Sequence, residues 1–158
     1  MTLAQATFYT LDTIGDEAKE RFVAQLIHSK VSQRQRVLVL AESQEQAEQY
    51  DEILWQLPSD HFVPHNLIGE GPSQGTPAII AWGEIPQNIS HRHVVINLSG
   101  KPLQPPFRIQ QIIELVPVHK EQREKARDNY RHYRQQQCNL ANVVAVLEPD
   151  TETEGNHG

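Results

Sequence analysis

Three observations predict an α/β fold, a single domain with a mostly parallel sheet flanked by helices. Short apolar runs of strand length alternate along the chain with amphipathic stretches of helix length. The run RVLVL at 36–40 is unbroken after Arg36, as in a strand buried on both faces, and such strands belong to parallel sheets covered by helices. The 158 residues, 38% of them apolar, suffice for one sizeable core.

Taken in order, ATFYTL at 6–11 predicts a first strand. Residues 16–29 predict an amphipathic helix that turns Phe22, Val23, Leu26 and Ile27 inward. Strand 36–40 follows. Next comes a helix over 43–57, on which Ala47, Tyr50, Leu54 and Leu57 recur at three- and four-residue steps and so share one face. Pro58 stops it. A long loop is expected from there to Pro77, then strands at 79–82 and 93–98. IIELV at 112–116 predicts a further strand, and 119–137 a final helix. The order strand, helix, strand, helix, strand, strand requires a right-handed crossover and gives the sheet a Rossmann-like character. The domain is expected over residues 1–147, with 148–158 an acidic tail too poor in apolar residues to order itself.

Composition narrows the function. A formal net charge of -6 argues against a protein that coats duplex DNA or a membrane with its whole surface. The single cysteine, Cys138, has no internal disulfide partner, and no signal peptide or apolar run of membrane-spanning length is recognisable, so a cytoplasmic protein is expected. GEGPSQG at 69–75 has the glycine spacing of a phosphate loop but follows a proline-rich loop instead of a strand, and Pro72 removes a backbone donor. It reads as turns. His61 and His65 are separated by Pro64, which breaks the helical geometry their spacing would need, and His91 with His93 is an equally weak pair; no metal or cofactor is expected. Nor do the residues present a nucleophile elbow or an activated cysteine.

Two surfaces remain. Trp55 lies roughly 130° from the apolar stripe of its helix at about 100° per residue, and Phe62 follows in a segment crowded with turn residues. An exposed Trp and Phe on a helix end form the kind of aromatic pair that anchors protein interfaces; the alternative is a loop folded over Trp55. On the last helix, Lys120, Arg123, Lys125, Arg127, Arg131 and Arg134 place six of the fourteen Lys and Arg in fifteen positions. All but Lys125 share a face with Tyr130. Guanidinium groups spaced in this way suit carboxylates or phosphates; the alternative is a solvated helix with ordinary Glu to Arg pairs.

Over nearly its whole length the sequence resembles the chi subunit of bacterial DNA polymerase III holoenzyme. The resemblance is carried by ATFYTL, RVLVL with YDEILW, FVPHNLIGEGP with AIIAW, LVP at 115–117, and ARDNYRHYR leading to CNL at 138–140. It implies a Rossmann-like domain without catalytic activity that acts as an adaptor between the psi subunit, linked to the clamp loader, and the acidic C-terminal tail of single-stranded DNA-binding protein. It places psi against Trp55, Phe62, Val63 and Pro64. The acidic tail falls to Val116, Arg123, Arg127, Tyr130, Arg131 and Leu140, with the three apolar positions walling a slot for the last side chain of the tail. A helicase is a further candidate user of the psi surface. Positions 123 and 131 are arginine where better-known members carry lysine, and the chain beyond Ala141 diverges. Its acidic end is a candidate competitor for the basic helix. The rival readings are a nucleotide-dependent enzyme at the switch point of the sheet, opposed by the lack of glycine-rich turns after Leu11 and Leu40, and direct single-stranded nucleic-acid binding, opposed by the short stripe and acidic net charge.

Overall fold

The computed structural model of the chain describes residues 4–72, 75–86, 89–104 and 108–149. Its strands are β1 (Gln5–Thr10), β2 (Val37–Ala41), β3 (His65–Leu67), β4 (Ala78–Trp82), β5 (Val94–Asn97), β6 (Gln111–Val116) and β7 (Asn139–Val144), with helices α1 (Lys19–Ser32), α2 (Gln44–Trp55) and α3 (Lys120–Gln135). The sheet order is β3-β4-β2-β5-β6-β1-β7. Every pairing in it is parallel.

The all-parallel arrangement follows from the apolar runs. All five residues of β2 are buried, Val37, Val39 and Ala41 among the core residues of α1 and α2, and Leu38 and Leu40 among those of the α3 side. Phe22, Val23 and Ile27 of α1 and Ala47, Tyr50 and Leu54 of α2 fill the first layer, as their spacing predicts. Tyr133 of α3 packs with Phe8 and Ile112 in the second.

Helix ends follow local chemistry. Ser43 caps α2, its hydroxyl accepting from the Gln46 N–H at 3.2 Å. The last helix ends two residues earlier than its pattern predicts because Gln137 adopts the left-handed conformation, φ 64°. The Cys138 N–H then closes back on the Tyr133 carbonyl at 3.0 Å.

Two strands escape the sequence pattern. β3 is only three residues long, set inside the segment expected to be loop, and β7 (NLANVV) lacks a clean period because it is a sheet edge with one flank in solvent.

Candidate functional site

At the β3 edge, Trp55 ends α2 with 60% of its surface exposed, and Phe62 is 38% exposed. Their ring centroids lie 5.3 Å apart, and both rings rest on buried His65, at 5.1 Å from Trp55 and 5.9 Å from Phe62. His65 is fixed in turn: Nδ1 sits 2.7 Å from the Val63 carbonyl, and Nε2 sits 3.2 Å from the backbone carbonyl of Asp51 and 3.2 Å from its carboxylate. The aromatic pair therefore stands on a rigid buried pedestal. No loop among the described residues covers Trp55. Pro64 is exposed beside the pair, but Val63 is a correction to the expected patch. Phe62 is extended, so successive side chains alternate and Val63 turns into the core, fully buried.

At the other edge, α3 packs over β6 and β7. Val116, Tyr130 and Leu140 all pack against the same buried cluster, which includes Phe8, Ile112 and Tyr133. Tyr130 meets Phe8 edge-on at 5.2 Å. The register separates the outer two residues: Val116 pairs with Thr10 whereas Leu140 pairs with Ala6, across two strand spacings, which puts them about 16 Å apart. These residues line an elongated strip instead of the single slot that the resemblance implies.

The arginines of α3 differ in their freedom. Arg123 grips Asp12 with both arms of its guanidinium, at 2.9 and 3.3 Å, and reaches the Pro117 carbonyl at 3.1 Å. That contact raises its pKa further above the usual arginine range. Arg131 pairs with Asp128 at 3.2 Å. Arg127 is exposed and makes no hydrogen bond or ion pair among the described residues. Asp12 was not recognisable as part of this surface from the sequence, because it is 111 positions away and meets α3 only through the β1–β6 pairing.

The two surfaces occupy opposite edges and opposite faces. Six strand spacings separate β3 from β7, about 29 Å at 4.8 Å each. Trp55 belongs to the α2 layer and the arginines to α3.

Between them lies a buried polar cluster. The Glu114 carboxylate accepts from Tyr133 Oη at 2.6 Å, Asn97 Nδ2 at 2.6 Å and Asn129 Nδ2 at 3.3 Å. Tyr133 Oη accepts in turn from the Leu103 N–H at 2.9 Å. Burial pushes the Glu114 carboxyl up to about 7, against the pull of its three donors. It borders a crevice of about 90 Å³ at the carboxyl ends of β5 and β6, lined also by Lys19, Glu42 and Lys125.

The chain leaves β7 on the α1 side. Ala145 is buried and Leu147 packs with it in the α1 and α2 layer, while Glu148 exchanges hydrogen bonds with Gln25 at 2.8 and 3.3 Å. The described chain thus runs to Pro149 and leads away from α3. Residues 150–158, expected to form the acidic tail, lie outside the described residues. No described helix is long and apolar enough to cross a membrane.

Comparison with known proteins matches residues 3–141 to the family described as DNA polymerase III chi subunit, HolC. The chain is 35% identical over 142 residues to DNA polymerase III subunit chi of Escherichia coli strain K12, covering 87% of this chain and 96% of that one. It is 35% identical over 137 residues to the subunit of the same name from Haemophilus influenzae, covering 86% and 94% of the two chains. With that of Pseudomonas aeruginosa it shares 28% over 136 residues, covering 85% and 92%.

Proposed function

The chain belongs to the DNA polymerase III chi subunit family, and from that premise we propose that it is a non-catalytic adaptor within the polymerase III assembly during DNA replication. In this reading Trp55, Phe62 and Pro64 bind the psi subunit, with Val63 holding their backbone from inside. The exposed α3 face and the strip from Val116 through Tyr130 to Leu140 bind the acidic C-terminal tail of single-stranded DNA-binding protein.

The observation that carries the reading is the placement of an aromatic pair and an arginine face on opposite edges of one sheet. An adaptor needs two surfaces that do not overlap, and this separation lets two partners sit without touching. Arg127 steers an acidic chain and is free to pair with a carboxylate, while the apolar strip takes the tail's terminal aromatic. Ordering a flexible tail costs entropy, so affinity for one tail is expected to be weak, on the order of micromolar. Many tails on coated single-stranded DNA, and linkage through psi, then raise the effective concentration.

The crevice beside Glu114 supports an adaptor over a nucleotide-using enzyme. At about 90 Å³ this crevice, at the carboxyl ends of the strands where such folds hold nucleotides, falls well short of the roughly 300–1,000 Å³ of small-ligand pockets. The larger cavity of about 920 Å³ lies elsewhere, between α1 and the end of α2. The test is a reconstitution from purified components: the chain, psi, and single-stranded DNA-binding protein either whole or lacking its last ten residues. The chain should retain psi and the whole binding protein together and lose the truncated one. Equal retention of the truncated protein would reject the tail-binding role.

A further inference from the structure

We infer that the acidic peptide binds β7 as an eighth strand of the sheet, through main-chain hydrogen bonds in addition to its contacts with α3. This rests on the tail-binding reading above and specifies how that surface would hold an extended chain.

β7 is the free edge, and its hydrogen-bonding groups sort by parity. The Asn139 N–H donates to the Ala4 carbonyl at 3.0 Å and the Ala145 N–H to the Thr10 carbonyl at 2.9 Å. With Ala141 opposite Thr7 and Val143 opposite Tyr9, the odd-numbered residues turn both main-chain groups toward β1. Leu140, Asn142 and Val144 must then direct N–H and C=O outward, and none of these groups has a partner among the described residues. Three donor and acceptor pairs at two-residue steps match the repeat of an incoming extended chain.

The edge is also undefended. Natural edges carry lysine, proline, bulges or very short strands to refuse further pairing. β3, at the opposite edge, is three residues long. β7 has six, NLANVV, without a charge or proline, and Val143, Val144 and Val146 are exposed.

Charge selects the occupant. Leu140, Asn142 and Val144 share the α3 side of the sheet with Phe8 and Val116, and the α3 face above that edge presents Tyr130 among arginines. An extended chain along β7 would run beside α3, whose exposed residues include Arg127 and Arg131, so the occupant is an acidic segment with an apolar end. Along β7, Leu140 to Val144 span four residue steps, about 13 Å at 3.3 Å each, which matches about five extended residues of an incoming chain.

The experiment is amide hydrogen exchange of the whole chain by NMR, with and without a ten-residue synthetic peptide rich in aspartate and ending in phenylalanine. Saturating peptide should slow exchange at Leu140, Asn142 and Val144 at least tenfold, with little change at Ala141 and Val143, which β1 already protects. Val144→Pro removes one outward donor without touching a bond to β1. It should weaken peptide binding about tenfold while the melting temperature of the chain stays near wild type. Should that variant unfold, N-methylating alternate residues of the peptide provides the same test from the other side. Peptide that binds and responds to Arg127→Ala, yet leaves the three amides fast, overturns strand addition and spares the tail-binding reading. Peptide that does not bind at all overturns both. Protection that develops with protein concentration and without peptide assigns the edge to a second copy and overturns the occupant inferred here.

Discussion

Arg123 and Asp12 form a two-armed ion pair at 2.9 and 3.3 Å, so an arginine expected to greet an incoming carboxylate already holds one. An acidic tail must displace Asp12 or leave Arg123 alone. Asp12→Asn should therefore raise affinity for the tail peptide by about two- to fivefold, the scale of an exposed ion pair. Isothermal titration with the peptide measures it, and unchanged affinity would remove Arg123 from the binding face.

Arg127 has no such engagement among the described residues. Arg127→Ala should weaken tail binding by about 1–3 kcal/mol, the value of a charge-assisted hydrogen bond, and leave psi binding within twofold. Loss of both activities together would show that the substitution damages the fold.

Trp55→Ala removes the most exposed large ring of the dock, together with its edge contact on His65. Psi binding should fall by about 2 kcal/mol or more, as for a central aromatic anchor. The melting temperature and tail affinity should not change. His65→Ala removes the pedestal instead: it should weaken psi binding and lower the melting temperature together, since a buried side chain is lost with its partners.

Glu114 links stability to pH. Its folded value, about 7, lies above the unfolded value of 4.5. Between these two values the folded chain keeps a proton that the unfolded chain releases, so this group makes stability fall as pH rises through the window, then level off. Thermal melts from pH 5 to pH 8 should show the decline in the wild type. Glu114→Gln should flatten it. A parallel decline in both proteins would assign the effect to other groups.

The sequence pattern made the parallel sheet and most of its elements legible, because unbroken runs such as VLVL and the stripe Ala47, Tyr50, Leu54 have only one good burial. It missed what depends on company. β3 forms because Asn66 and Thr76 hold its loop, the Thr76 N–H and hydroxyl donating to Asn66 Oδ1 at 3.2 and 2.6 Å. β7 forms because β1 offers a register, not because its own residues alternate. Trp55 and Arg127 were readable from helical angle alone. The pedestal under Trp55, the inward turn of Val63, the claim of Asp12 on Arg123 and the distance between Val116 and Leu140 all require the assembled sheet.

The central claim is that two partners occupy one molecule at once from opposite edges. The direct measurement is the affinity of the tail peptide for the chain alone and for the chain saturated with psi. The account predicts the same dissociation constant within about twofold, since nothing is shared between the surfaces and additivity holds for distant sites. Displacement of the peptide by psi, or a tenfold loss of affinity in its presence, would contradict it.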